Sequence, residues 1–359
     1  MKAFLKRHWR VHVWLLGVLA IFCVYWYGIS SRQAANAVSS VTQGLKDGYA
    51  KLWYLFPFSV VEWFYVAFIL GVMAWLAVLF HRLRTRKEGR LDIAYGGFLG
   101  LACFFLSAYG FACAAWGVNY YADGFQEKSG VYAQPVTVAE LERVALYFTE
   151  KLKETAGQVE RGADGVFAVP RDEIFAYSTH VYDHISAEFP FLEREDRIPK
   201  KMVFSRLFSA MNFTGFYSAY TGESNLNVDS PACLLPANIA HELAHQRGVA
   251  SEQECNFLAI AATTSSDNAV YQYSGYLMGY IQLSNALYRA DRERWAEVRS
   301  VLPEAVLADL RYHSAYWDQF EGLAAKVSTS VYDGTLKSYG QADGIQSYGT
   351  VVDLLVAYY

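Results

Sequence analysis

The sequence predicts an α-helical membrane anchor followed by a mainly α, α+β domain with a small sheet. Three long apolar runs in the N-terminal part of the chain predict the anchor. Amphipathic helical patterns dominate the rest, and one aromatic and β-branched stretch there favours two or three short strands. The 359 residues therefore divide into a transmembrane region, residues 1–118, and a globular domain, residues 119–359.

The three predicted spans cover residues 11–30, 60–80 and 93–118. The first and third contain no Asp, Glu, Lys or Arg, and the second contains only Glu62, near one end. Each run supplies the roughly 20 apolar residues that a helix needs to cross a lipid bilayer. A cleaved signal peptide is the alternative for the first run, because residues 35–37 (Ala-Asn-Ala) have the spacing of a cleavage site. Its length favours a retained anchor.

Basic residues are concentrated on one side of the predicted spans. They precede the first span and lie between the second and third: Lys2, Lys6, Arg7 and Arg10, then Arg82, Arg84, Arg86, Lys87 and Arg90. The loop between the first and second spans contains only Arg32, Lys46 and Lys51. The positive-inside rule then predicts a multi-pass cell-membrane protein with a cytoplasmic N-terminus and an extracytoplasmic globular domain.

The composition argues against several classes of function. The net charge is −4 and there is no basic stripe outside the membrane flanks, so nucleic acid is not an expected partner. The five cysteines include no CxxC pair, which argues against a thiolate zinc site. Cys233 and Cys255 lie outside the apolar runs, and two buried thiols are favoured over a bridge between them. The sequence predicts no particular oligomeric state.

Helices of the globular domain are predicted at residues 136–157, 171–189, 237–247, 252–264, 271–290, 303–325 and 348–359. Thr137 and Glu140 have the spacing of a capping box at the start of the first. Pro236 and Gly248 bracket the helix over residues 237–247. The strands are expected within residues 202–228. If one of them has an unpaired edge, that edge would bind a peptide backbone by strand addition. The alternative is an ordinary core strand, which would not bind a peptide.

Residues 241–245 read HELAH within one of these helices. Positions four apart lie on one helix face, so His241 and His245 can present both imidazoles to one metal ion. Glu242 lies beside the same site, where its carboxylate can accept a proton from water whose pKa zinc lowers to about 7. This is the physical basis of the HExxH motif. The alternative is a solvated helix with two incidental histidines.

A third metal ligand is predicted in the next helix. Ser251 is a natural N-cap, which places Glu252 in the first turn, facing back toward the histidines. Glu254 is the alternative ligand, but its spacing from Ser251 assigns it to a capping box. Asn256 lies four residues after Glu252 on the same helix face and would hold a ligand in place.

Hydrolysis would also need a hydrogen-bond donor for the developing oxyanion. Tyr348 and His313 are the candidates from the sequence. His180 and His184 also have i, i+4 spacing, but no glutamate follows the first of them. We therefore interpret that pair as surface or core histidines without a metal.

Three blocks of sequence carry a family resemblance: GFYSAYTGESNLNV, LLPANIAHELAHQRGVASEQECNFLA and LKSYGQADGIQSYGTVVDLLVAYY. Together with PFSVVEW and WGVNYY, they resemble a bacterial family of multi-pass membrane proteins of unknown function that is classed with HExxH zinc peptidases. The resemblance implies three N-terminal spans and a zincin-like, specifically gluzincin-like, domain with two histidines and a glutamate as zinc ligands. A wider resemblance, to peptidases with an ExxAN pattern after HExxH, falls on Glu252 and Asn256, with Cys255 in place of the usual alanine.

The expected function is that of a membrane-anchored zinc-dependent peptidase acting on a peptide or protein substrate on the extracytoplasmic side. His241, His245 and Glu252 would hold Zn2+, and Glu242 would be the general base. The alternative is a non-catalytic zinc- or peptide-binding membrane sensor or scaffold. An intramembrane protease is disfavoured, because charged residues crowd the motif and no apolar run contains it.

Overall fold

The computed structural model describes residues 2–338 and 349–359, which form two compact units. The first unit comprises the chain up to Trp53, Val60–Ala122 and Ala219–Thr221. The second comprises Tyr54–Ser59, Asp123–Ser218 and the chain from Gly222 onward. Two short segments thus belong to a different unit from their neighbours in sequence, which a single division after residue 118 does not anticipate.

The first unit is helical. Its helices are α1 (Lys2–Arg7), α2 (Trp9–Gly28), α3 (Arg32–Trp53), α4 (Val60–Thr85) and α5 (Arg90–Ala115), followed by a 3-10 turn at Gly117–Tyr121. Helices α2, α4 and α5 are long and apolar enough to cross a membrane, as predicted from the sequence. The side of the membrane on which the second unit lies stays a prediction.

The second unit is mostly helical as well. Its helices are α6 (Phe125–Ser129), α7 (Val138–Ala156), α8 (Arg171–Tyr177), α9 (Asp183–Glu188), α10 (Ser205–Ala210), α11 (Leu235–Gln246), α12 (Glu252–Thr264), α13 (Ala269–Ala290), α14 (Arg292–Ser300), α15 (Glu304–Asp318), α16 (Leu323–Ser338) and α17 (Gly349–Tyr358). Three 3-10 turns lie between them, at Ser178–His180, Pro190–Leu192 and Ala232–Leu234. The predicted capping box of Thr137 and Glu140 starts α7.

A small mixed sheet accompanies these helices. Its strands are β1 (Lys200–Lys201), β2 (Gly215–Tyr217) and β3 (Ser224–Leu226), in the order β1-β3-β2. The central strand β3 is fully buried; β1 runs parallel to it and β2 antiparallel. The predicted stretch, residues 202–228, contains two of these strands, and its first part forms α10 instead. There the Ser205 hydroxyl donates to the Met202 carbonyl and closes a helical turn.

Two other predicted helices are interrupted. The helix expected over residues 171–189 is divided into α8, a 3-10 turn and α9, and the Ser178 hydroxyl donates back to the Phe175 carbonyl at the division. The helix expected over residues 303–325 ends with α15 at Asp318, and α16 begins at Leu323. Apolar periodicity continues across both breaks, so the sequence pattern alone does not reveal them.

Helix α11 occupies the centre of the second unit. It packs on one side against β2 and β3 and on the other against α12 and α13. All of its residues are buried except His241, which is half-buried. The alternative interpretation of the HELAH segment as a solvated helix is therefore wrong.

Candidate metal centre

Two consecutive helices and the turn between them build the site. Pro236 stands in the first turn of α11, and Gly248 follows its end with a φ of 86°, a left-handed conformation that favours glycine. Ser251 then caps α12, because its hydroxyl accepts a hydrogen bond from the Glu254 backbone N–H. Glu252 is consequently the first residue of α12, as the sequence predicts.

His241, His245 and Glu252 lie together at this turn. Each can offer one ligand atom such that all three atoms are within 4.8 Å of one another. The His241 Nε2 atom lies 3.2 Å from Glu252 Oε2, and the His245 Nε2 atom lies 3.5 Å from Glu252 Oε1. The three side chains are between 8 and 22% exposed, so the cluster is largely shielded from solvent.

These separations fit a zinc ion. Ligand atoms about 2.0–2.2 Å from a tetrahedral zinc lie roughly 3.3–3.6 Å from one another. The two nitrogen-to-oxygen distances of 3.2 and 3.5 Å match that spacing. Two imidazoles and one carboxylate are also a ligand set of catalytic zinc sites, which keep a fourth position open.

The other nitrogen of each imidazole is already used. The Asn256 side-chain oxygen accepts a hydrogen bond from His241 Nδ1 at 2.9 Å. The Val249 carbonyl accepts one from His245 Nδ1, also at 2.9 Å. Hydrogen bonds of this kind fix the tautomer and orientation of a metal-binding imidazole. In the neutral form of each ring, Nε2 is then the unprotonated nitrogen, and it is the one that lies near Glu252. Asn256 has the place expected from the sequence.

Glu242 is buried beside the ligands without ligating. It is 4% exposed, and its Oε2 atom has no hydrogen-bond partner within residues 2–338 and 349–359. Burial raises the pKa of Glu242 to about 7, although His241 and His245 oppose the rise. A carboxyl group with a pKa near neutrality can both accept and return a proton, as a general base and acid must.

A glycine makes room for this carboxylate. A Cβ atom on Gly215 of β2 would lie 2.8 Å from Glu242 Oε1 and 2.9 Å from the Asn225 carbonyl oxygen. Carbon atoms do not approach oxygen so closely, so strand β2 reaches Glu242 only because residue 215 has no side chain. The edge strand and the candidate base are thus in direct contact, a relationship that sequence spacing does not show.

The charge state of the third ligand suits a cation. Burial raises the pKa of Glu252, but the neighbouring His245 and His241 outweigh this and hold it well below its ordinary value. The ionised carboxylate is the form that binds metal. The pKa of His245 is raised well above its ordinary value: burial lowers it, and contact with Cys255 and Glu252 more than compensates.

Glu254, the alternative third ligand, is used elsewhere. Its carboxylate accepts hydrogen bonds from the backbone N–H groups of Phe125 and Gln126, at 2.8 and 3.2 Å, and from the Gln126 side chain at 3.3 Å. Glu254 therefore caps α6, although the two are far apart in the sequence. The predicted capping box is only half formed. The Ser251 hydroxyl accepts a hydrogen bond from the Glu254 backbone N–H, but the Glu254 carboxylate does not accept one from the Ser251 backbone N–H.

Tyr332 contacts the cluster, and the sequence analysis missed it. Its hydroxyl donates a hydrogen bond of 2.5 Å to Glu252 Oε1 from helix α16. The two residues are 80 positions apart, and no motif or spacing links them. Only the tertiary fold brings this side chain to the site.

Of the two candidate oxyanion donors, His313 lies within the described residues and Tyr348 lies outside them. His313 lies on α15, where its Nε2 atom accepts a hydrogen bond from Trp317 at 3.0 Å. It lines a cavity together with Tyr280, Trp295 and Arg299, and that cavity includes none of the cluster residues. The structure does not bring His313 to the metal ligands.

The remaining predicted features are structural. His180 and His184 make hydrogen bonds with Asp183 and Asp267, respectively, at the surface. Cys233 and Cys255 are both buried and free, so no bridge joins them. The Cys255 sulfur lies 3.3 Å from His245 Nδ1 and packs behind the metal-facing side of the ring.

A family model described as protein of unknown function (DUF3810) matches residues 39–356. The match covers the candidate metal centre, α16 and two of the three candidate membrane helices. No curated protein and no solved structure matches the chain.

Proposed function

Because the chain belongs to the DUF3810 family, whose function is unknown, its activity must be inferred from its site, and we propose a membrane-anchored zinc-dependent peptidase. It would hydrolyse peptide bonds in a peptide or protein substrate on the extracytoplasmic side. The single observation that supports this most strongly is the pairing of a three-residue candidate ligand cluster with the buried Glu242 carboxylate, whose Oε2 atom has no hydrogen-bond partner within the described residues. A purely structural zinc site has no need of the second feature.

Each residue of the site would have a defined role. His241, His245 and Glu252 would hold zinc, which when bound supplies Lewis acidity toward a water molecule and the scissile carbonyl. Glu242 would take the proton from that water and later give it to the leaving amine. Its burial keeps competing water away, and its raised pKa makes both transfers accessible near neutral pH.

Strand β2 would position the substrate. Strand β2 lies at the end of the described strand order β1-β3-β2 and pairs with β3. A peptide added alongside β2 would hydrogen-bond through its backbone, largely independently of its sequence. Because Gly215 of the same strand touches Glu242, a peptide bound there would run close to the candidate base.

Metal analysis of the full-length protein, purified in detergent, tests the proposal. The wild type should contain one zinc per chain, and His245→Ala should lose it because the remaining ligands cannot hold it alone. Glu242→Gln should keep the zinc but lose zinc-dependent cleavage of a quenched-fluorescent peptide library. The double variant His180→Ala/His184→Ala is a control with the same sequence spacing, and it should keep both properties. Cleavage by Glu242→Gln at the wild-type rate would remove the proposed base.

One observation favours the alternative, a non-catalytic zinc- or peptide-binding membrane sensor or scaffold. Tyr332 of α16 contacts Glu252, and the three ligand side chains are at most 22% exposed. If α16 stays in this position, a substrate reaches the zinc only through a narrow opening. Zinc binding without cleavage of any peptide in the library, in the wild type as in Glu242→Gln, would support this alternative.

A further inference from the structure

The hydroxyl of Tyr332 contacts Glu252. It donates to Glu252 Oε1 at 2.5 Å, and the histidine nitrogens lie 3.2 and 3.5 Å from the same carboxylate. A hydrogen bond from a hydroxyl to an ionised carboxylate is stronger than one between neutral groups. The contact therefore restrains the Glu252 carboxylate.

Glu252 needs such a constraint more than the histidines do. His241 and His245 are each held by a hydrogen bond from Nδ1, to Asn256 and to the Val249 carbonyl. Glu252 is the first residue of α12 and has a longer, more flexible side chain. Tyr332 supplies for Glu252 what Asn256 and Val249 supply for the imidazoles.

The contact reaches an oxygen that faces the cluster. Tyr332 donates to Oε1, which lies 3.5 Å from His245 Nε2, while Oε2 lies 3.2 Å from His241 Nε2. Each carboxylate oxygen has two lone pairs, so Oε1 can accept this hydrogen bond and still face a cation. Tyr332 therefore restrains the carboxylate in the orientation that directs both oxygens at the histidines.

Tyr332 also contacts an aromatic ring outside α16. The Tyr332 ring packs edge-on against Phe213, with their centroids 5.5 Å apart. Phe213 comes shortly before β2, the strand that contacts Glu242. The tyrosine thus extends from the start of the edge strand to the third ligand.

We propose that Tyr332 is a positioning residue that holds the Glu252 carboxylate in the orientation in which it would bind the metal. The inference rests on the proposed zinc site but not on hydrolysis. It assigns to α16 a part in metal binding that neither the HExxH motif nor the third-ligand pattern includes.

Metal affinity measures this role directly. Apo-protein in detergent is titrated with zinc against a chromophoric chelator, and with Co2+ to record the visible ligand-field spectrum. Tyr332→Phe should lower zinc affinity about 10–100-fold, the usual effect of removing such a partner, and should alter the Co2+ spectrum. Asn256→Ala, which removes the partner of His241, provides a benchmark of similar size. Tyr312→Phe, an exposed tyrosine on α15, should change neither property.

The outcomes are distinguishable. Wild-type affinity and an unchanged spectrum in Tyr332→Phe would overturn the inference even if its peptide cleavage is slow, since that pattern describes an oxyanion donor. Failure of the wild type itself to bind zinc would instead overturn the proposed function. Circular dichroism and the melting midpoint of the apo-proteins show whether Tyr332→Phe folds normally, and its Co2+ spectrum reports the ligand geometry in either case.

Discussion

Substitution of Gly215 by alanine tests the contact between the edge strand and Glu242. The new Cβ atom would lie 2.8 Å from Glu242 Oε1, 2.9 Å from the Asn225 carbonyl oxygen and 3.0 Å from Glu242 Cγ. Favourable contacts begin at about 3.5 Å, so these atoms must separate by roughly 0.5–0.7 Å. Asn225 belongs to the buried central strand and pairs with Phe216, so it cannot move easily. Strand β2 and the Glu242 side chain must therefore move instead.

The expected magnitudes follow from this displacement. Crowding a well-packed site typically costs about 1–3 kcal/mol of the free energy of unfolding. A catalytic group displaced by about 1 Å loses up to roughly 10²-fold in rate. We expect Gly215→Ala to reduce zinc-dependent peptide cleavage by about 10- to 100-fold. Zinc affinity should stay at the wild-type value, because Glu242 is not a ligand.

The assay compares melting midpoint, zinc content and cleavage rate of the full-length protein in detergent. Gly157→Ala is the matched control. Gly157 follows α7 with a φ of −84°, and a Cβ atom added there would have no neighbouring atom within 4 Å. That substitution should be neutral or stabilise by about 0.4–1 kcal/mol. Wild-type stability together with wild-type cleavage in Gly215→Ala would refute the close approach of β2 to Glu242.

Three further predictions concern the surroundings of the site. Asp196→Asn should destabilise by about 3–5 kcal/mol in chemical denaturation, because it leaves buried Arg247 without the carboxylate that it contacts at 2.7 and 2.8 Å. An Arg247→Met/Asp196→Leu double variant that is no more stable than Asp196→Asn would contradict that reasoning. Glu254→Gln should lower stability by about 1–3 kcal/mol through weakened capping of α6 while zinc content is unchanged, whereas Glu252→Gln should lose zinc. Compared with protein in free zinc at 1,000 times Kd, removal of the zinc by a chelator should lower the free energy of unfolding by about 4 kcal/mol. If chelation destabilises the His245→Ala variant by the same amount, zinc binding at this cluster is excluded.

The proximity of His241, His245 and Glu252 is predictable from the sequence because the three residues are close together along the chain. Pro236 and Gly248 delimit α11, and Ser251 starts α12, so the positions of His241, His245 and Glu252 follow from helix geometry and one turn. Those signals act within a few residues of the backbone they control. The candidate spans are predictable for a similar reason, since length and apolar composition are sufficient evidence for them.

Contacts distant in sequence are not predictable in this way. Tyr332 is one tyrosine among 27, and only the packing of α16 distinguishes it. The His313 side chain is as capable of hydrogen bonding as that of Tyr332, yet in the folded protein it accepts a hydrogen bond from Trp317. Glu254 illustrates the same limit: its spacing from Ser251 suggests a local cap, whereas its carboxylate caps α6, 129 residues away from it at Phe125.

The difference between local and distant contacts helps to decide whether the protein is a peptidase or a non-catalytic sensor. The local segment from His241 to Asn256 contains the three candidate ligands and the hydrogen-bond partners of both imidazoles, so metal binding alone would not distinguish the two functions. Strand β2 and helix α16, which come from other parts of the chain, contact Glu242 and Glu252. They determine whether a peptide can reach the carboxylate that would take the proton. Substitutions in β2 and α16 that leave zinc in place are therefore the informative ones, because in a peptidase they change turnover and in a sensor there is no turnover to change.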